Sequence, residues 1–291
     1  MFDQLFGRYL VATNCISQEQ LDELLKKQNK IRVKLGLIAV SEKYMTSEQA
    51  DEVNHLQSMM DKRFGDIAIE KGYLTREQVN RLLELQGNVY LTFIQSLLDS
   101  DCMTMQGIEA ALAVFQKINN YSMEEMNGLR TGDTNVIIGM FTREVKEERY
   151  HELIGILVRT CIRIIDNKMF IGNAYAPDEY TTECYAEQRL FGDFDMTLAF
   201  CGKGGGLIPI ANEFAGEEYT EVDEDVLDAS CEFVNCINGM FATSLSQRNI
   251  DVDMDPPMYA LEEHKVYKGK VLYVLPVYMK GLAVDVVIVE K

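Results

Sequence analysis

Asp228-Ala-Ser-Cys-Glu232-Phe-Val-Asn235-Cys-Ile-Asn-Gly239 is the stretch that decides how the second half of this chain folds. The spacing predicts one helix from about Asp223 to Ser246. Leu227, Cys231, Val234, Asn238, Phe241 and Leu245 recur three or four apart and form a mostly apolar stripe. Asp228, Glu232, Asn235 and Gly239 recur the same way, about 100° round the helix. One face is therefore built to pack, and its neighbour carries carboxylate, carboxamide and bare backbone. Asn at mid-helix costs some tenths of a kcal/mol and Gly roughly 1 kcal/mol against Ala. A merely solvated face would take cheaper residues. A carboxylate and an amide beside a Gly that permits close approach form a docking and water-orienting device, since side chains three and four apart can act on one ligand.

Asp-x3-Glu-x2-Asn resembles the signature of the CheC/CheX chemotaxis phosphatases. Ala215-Gly-Glu-Glu-Tyr219 and Val222-Asp-Glu-Asp-Val226 before it, and Asn235-Cys-Ile-Asn-Gly239 after it, agree with that resemblance, which covers about residues 145 to 291. It implies an α+β domain, helices packed on an antiparallel sheet, that forms a homodimer. It also implies a phosphatase for the phosphoaspartate of a CheY-like response regulator. Asn235 would place the attacking water and Glu232 would bridge to the regulator's Lys. Gly239 would let the regulator come close, and Asp228 would contact it or tune the surface. No cofactor is implied on this chain, because the Mg²⁺ belongs to the regulator. CheC-type members carry a second motif on their first helix. Here Glu152 is followed by Gly155 where Asn is expected, so one site is read, as in CheX.

Composition sets outer limits. The chain has 291 residues, 47% of them hydrophobic and 25% charged, which suits two globular domains. A formal net charge of −18 argues against nucleic acid and anionic membrane surfaces. No apolar run approaches the ~20 residues of a membrane span. Met-Phe-Asp-Gln-Leu-Phe-Gly lacks a basic start followed by an apolar region, so no secretory signal is expected. The 7 Cys are odd in number, scattered and without a Cys-x2-Cys pair, which reads as thiols in a reducing cytoplasm. No His or Cys spacing suggests a metal site.

The first half repeats. Ser17-Gln-Glu-Gln20, Thr46-Ser-Glu-Gln49, Thr75-Arg-Glu-Gln78 and Thr104-Met-Gln-Gly107 start at a constant step of 29 residues. The first three are capping boxes; the fourth has lost its Gln. Phe6, Leu35, Phe64 and Phe93 keep the same register, as do Gly7, Gly36 and Gly65. Each unit reads as a short helix, a turn and a longer helix. In the third, Leu74, Val79, Leu82 and Leu83 supply the apolar face. A 29-residue unit cannot bury that face alone, so neighbouring units are expected to stack. The pattern resembles the N-terminal domains of type II secretion and pilus ATPases, some of which bind cyclic di-GMP through Arg-Leu-Gly-x-x-Leu. Lys34-Leu-Gly36 and Arg63-Phe-Gly65 echo that start, but Ala39 and Ala68 stand where Leu is expected and the units run back to back. Glycines that let helices approach closely account for the same residues.

We divide the chain into an all-helical repeat domain, 1–130, and a CheX-like domain, 142–291, with turn-rich Asn119–Ser122 and Asn127–Asp133 at the join. Thr142 to Asp166 contains a helix. Met169–Tyr175, Asp195–Cys201 and Met258–Glu263 read as strands, and Lys270–Met279 with Leu282–Glu290 as a hairpin turning at Lys280-Gly281. Gly202-Lys-Gly-Gly-Gly206 lacks the phosphate-loop order and reads as a strand-to-helix turn. Cys231 lies on the packing stripe with no His or Lys to activate it, which disfavours thiol chemistry. The competing functional reading is a non-enzymatic adaptor that docks on a receiver domain while the repeats recruit a partner or sense cyclic di-GMP.

Overall fold

The computed structural model describes residues 1–28, 33–60, 62–202 and 205–291, the Ser58 side chain excepted. The described chain divides into two compact units, Phe2–Asp133 and Thr134–Lys291.

The first unit is helical. Its helices are α1 (Phe2–Ala12), α2 (Gln18–Lys27), α3 (Leu35–Ser41), α4 (Ser47–Met59), α5 (Phe64–Glu70), α6 (Arg76–Glu84), α7 (Val89–Asp99), α8 (Met105–Ile118) and α9 (Met123–Thr131). The capping boxes at Ser17, Thr46 and Thr75 close in both directions. Thr104 caps α8 through the Gly107 N–H alone. The repeat glycines are points of close approach. A Cβ on Gly7 would lie 2.4 Å from Leu21, and one on Gly65 2.8 Å from Val79. The units do not stack in a simple row. α1 and α2 of the first unit pack on α7 and α8 of the fourth, α3 and α4 of the second on α5 and α6 of the third, and α3 meets α7. The aromatic repeat positions explain the closure: Phe6 meets Phe115 edge-on at 5.5 Å, and Phe2 meets Phe93 at 6.4 Å.

Some expectations fail locally. The leading helix is short only in the middle two repeats; α1 and α7 each run to 11 residues. Leu83 is 43% exposed rather than part of the buried face. Asn127–Thr131 is helix, not turn, because Ser122 and Glu125 form a further capping box and Met126 and Leu129 are buried beneath it. That local and tertiary gain outweighs the penalty of Gly128 mid-helix.

The second unit is helices on one antiparallel sheet. Helix α10 (Thr134–Phe141) packs on α11 (Glu148–Ile164). Then follow β1 (Phe170–Ile171), β2 (Tyr180–Gly192), β3 (Met196–Gly202), α12 (Ile208–Ala215), α13 (Glu224–Ser246), β4 (Val252–Met254), β5 (Met258–Tyr267), β6 (Val271–Met279) and β7 (Leu282–Glu290). The sheet order is β1-β6-β7-β3-β2, with β4 and β5 side by side along the far edge of β2. The β6–β7 hairpin pairs Met279 with Leu282 and turns at Lys280 and Gly281, both at positive φ, the geometry of a tight two-residue loop. Gly202 leads from β3 toward α12, whereas Lys203 and Gly204 of the expected turn lie outside the described residues.

Helix α13 runs across the sheet. It packs on β2, β3, β4 and β5 and on the neighbouring α11 and α12. Phe233 anchors it between Phe200 and Phe214, edge-on at 5.7 and 5.4 Å. The stripe Leu227, Cys231, Val234, Asn238, Phe241, Leu245 is buried throughout. Among the described residues, no helix is long and apolar enough to cross a membrane.

Candidate functional site

Helix α13 begins where its sequence says it should. Asp223 is the N-cap and its Oδ1 accepts the Val226 N–H at 3.0 Å. Glu224 and Asp225 fill the first turn, where negative charge opposes the positive end of the helix dipole. Burial of the apolar stripe fixes the rotation of the helix, and the rotation fixes what faces out. Asp228 and Glu232 are exposed, and Asn235 and Gly239 are half-buried. All four therefore fall on one accessible face of α13, each one turn from the next.

The four are not equally free. Asp228 and Glu232 extend into solvent. Gly239 is open: a Cβ built on it would meet nothing within 4 Å. Asn235 is tethered, its Oδ1 accepting from Nε2 of Gln188 at 2.8 Å. Gln188, on β2, is 3% exposed. Its Nε2 also donates to the Asp255 main-chain carbonyl at 2.9 Å, and its Oε1 accepts from Asn238 Nδ2 at 3.0 Å. From Asn235 on the accessible face a row of three carboxamides thus runs inward, Gln188 and Asn238 of it buried. Arg189 braces it: Nη1 meets the Asp255 carboxylate at 3.2 Å, while Nε and Nη2 meet Asp195 at 2.8 and 2.6 Å.

Gln188 was not visible in the residue pattern that gave α13, because the whole of β2 went unread. A signal was present. Ala186, Gln188 and Leu190 alternate, buried, on one face of the strand, and a Gln at a core position of such a strand needs polar partners. A second feature lies at the start of β5, which runs on past the expected Met258–Glu263 to Tyr267. Met258 is 57% and Tyr259 40% exposed, and β5 packs against α13. Partial burial, with the charges of Glu224 and Asp228, raises the Tyr259 phenol above its usual value, so it stays a neutral hydrogen-bonding group.

Two alternatives are closed by geometry. Burial, reinforced by the charge of Asp228, pushes the Cys231 thiol up to about 12, the wrong direction for a nucleophile. On α11, Glu152 is in an ion pair with Arg248 at 2.8 Å and accepts from Ser244, while the Arg159 guanidinium lies over Gly155. The counterpart face of α11 therefore offers neither a free carboxylate nor an amide at the motif spacing. Among the described residues, no group of three or more His, Cys, Asp or Glu side chains is placed to hold a metal ion.

No curated protein matches the chain. Similar solved structures include a CheX chemotaxis protein from Desulfovibrio desulfuricans, 13% identical, covering 50% of this chain and 100% of that one, with a TM-score of 0.43. CheX from Vibrio vulnificus is also 13% identical, over 50% of this chain and 100% of that one, at 0.44. A CheX–CheY–BeF3–Mg²⁺ complex from Borrelia burgdorferi is 16% identical, over 50% and 99%, at 0.44. Residues 185–276, which contain α13 and Gln188, match the family of the chemotaxis phosphatase CheX.

Proposed function

We propose that this chain accelerates hydrolysis of the phosphoaspartate of a CheY-like response regulator. The observation that carries this reading is the Glu232/Asn235 pair on the accessible face of α13, inside the span matched by the CheX family. An acyl phosphate in a receiver domain already lies beside a Mg²⁺ and a Lys, both belonging to the regulator. What is left for a phosphatase is to hold a water in line with the breaking bond. The water oxygen attacks phosphorus and the P–O bond to the regulator's Asp breaks. The carboxylate is regenerated, and the water's protons leave with the phosphate and its solvent. No covalent intermediate on this chain is required.

Asn235 places the water through its outward amide. Glu232 docks on the regulator's Lys by a charge-assisted hydrogen bond. Gly239 admits the regulator's surface close to the helix, and Asp228 with Tyr259 borders the contact. Removing the Asn235 amide should slow turnover by roughly 10²-fold, the scale of one well-placed polar catalytic group. Decay of a phosphorylated receiver, followed with wild type and with Asn235→Ala, tests this. Equal rates for the two would exclude the mechanism. Binding of the phosphorylated receiver without faster phosphate loss would favour the adaptor reading.

A homodimer belongs to the same proposal. Among the described residues β5 pairs with β2 on one side only, and Met258, Leu261 and Val266 are exposed along it. Light scattering on the 33.1 kDa chain should give twice that mass. The helical unit is assigned to recruiting a partner or setting location.

A further inference from the structure

Asp255 contributes a main-chain carbonyl, which can only accept. It therefore decides which end of the Gln188 amide faces it: Nε2, at 2.9 Å. The same Nε2 then requires an oxygen on Asn235, and the opposite end, Oε1, requires a nitrogen on Asn238. One backbone atom thus orients three side-chain amides whose ends are otherwise interchangeable. Asp255 is itself fixed, its N–H donating to the Arg189 carbonyl at 3.0 Å and its carboxylate held by Arg189. The row sits under α13 with Gln188 and Asn238 buried. Asn238 Oδ1 is buried without a protein partner among the described residues, a penalty accepted at a core position where Leu would pack more cheaply.

We propose that Gln188 is a positioning residue for the phosphatase reaction: it turns the Asn235 oxygen inward and the Nδ2 amino group outward, so that the attacking water is held as the acceptor of an N–H. The proposal rests on the phosphatase reading given above. A water that accepts from Nδ2 still has a second lone pair for phosphorus. An untethered Asn235 would present its oxygen as often as its nitrogen, a factor of about two, and would also lose its fixed position; misplacement by about 1 Å brings the expected slowing to tenfold or up to about 10²-fold. Gln188 touches neither water nor regulator, so binding of the regulator should be unaffected.

The test uses the full chain, a phosphorylated receiver, and three variants beside wild type: Gln188→Met, Gln188→Met/Asn238→Leu and Asn235→Asp. Gln188→Met keeps the volume and removes every hydrogen bond in the row. It is expected to lower kcat by about tenfold or more with KM for the phosphorylated receiver unchanged. Asn235→Asp keeps an inward acceptor for Gln188 but replaces the outward N–H by oxygen, and should lose as much as Asn235→Ala. If Gln188→Met does not fold, the double variant Gln188→Met/Asn238→Leu, which also removes the buried amide left unpaired, should lower kcat in the same direction. The side-chain ¹⁵N–¹H₂ resonances of Asn235 give an independent readout and should move to the position of a solvated amide in Gln188→Met. Wild-type kcat in Gln188→Met, or unchanged Asn235 amide resonances, overturns the proposal while leaving the phosphatase reading intact. A wild-type chain that accelerates nothing sinks the phosphatase reading, and the catalytic role assigned to Gln188 with it.

Discussion

Gly239 stands in the interior of a 23-residue helix, away from both caps, and its backbone is not in the left-handed region. Nothing lies within 4 Å of where its Cβ would be. Gly239→Ala should therefore stabilise the helix by about 1 kcal/mol, the full propensity difference at a mid-helix site with no steric offset. For a unit of this size that corresponds to a rise of roughly 2–4 °C in Tm. The same methyl group stands on the face assigned to regulator docking, so it should push the two surfaces apart. Gly239→Ala is expected to melt higher yet dephosphorylate a subsaturating receiver more slowly, and Gly239→Leu to be slower again, by about tenfold or more, equivalent to about 1.4 kcal/mol of lost docking. Thermal melts and phosphoreceiver decay on the same preparations give both numbers. Wild-type turnover in Gly239→Leu would refute the docking assignment. A lower Tm in Gly239→Ala would refute the reasoning that the glycine is retained for something other than folding.

Glu232→Ala should weaken receiver binding and turnover together, by about tenfold, the scale of one hydrogen bond to a charged group; titration of binding beside the rate assay checks it, and loss of turnover alone would move Glu232 from docking to chemistry. Cys231, 3% exposed, should resist iodoacetamide at pH 8 in the native chain while exposed Cys15 labels, with peptide mass spectrometry as the readout; rapid labelling of Cys231 would reopen thiol chemistry. Asp195 has its carboxyl lowered by the Arg189 hydrogen bond and charge, against a smaller opposing effect of burial. A depressed carboxylate contributes stability that is present above the ordinary Asp value of about 4 and lost as pH falls through the lower folded value. Denaturant midpoints between pH 5 and pH 2.5 should therefore fall more steeply for wild type than for Arg189→Met, and parallel profiles would contradict the pairing.

Local chemistry made much of the fold legible. The caps Ser17, Thr46, Thr75 and Asp223 act within three residues of themselves, so the helices they begin could be placed from the chain alone. Lys280-Gly281 did the same for the β6–β7 hairpin. What was illegible depends on distant partners. β2 buries Glu187 and Gln188 in succession, one on each sheet face, and the alternation of polar and apolar residues is broken there. Glu187 is tolerated because Lys265 and the Tyr267 hydroxyl close on it, and Gln188 because Asn235, Asn238 and Asp255 do. Those partners are 47 to 80 residues away in sequence. The exposed face of α13 could be read from periodicity, but the buried amide row that holds Asn235 could not. The closure of the first repeat on the fourth was hidden for a similar reason: it rests on ring contacts between Phe6 and Phe115, not on any property of one unit.

The central claim is most directly tested by the decay of a phosphorylated receiver alone, with the wild-type chain, and with Asn235→Ala. The account predicts acceleration by the wild type that falls by roughly 10²-fold in the variant while receiver binding persists. Acceleration that survives in Asn235→Ala would contradict it.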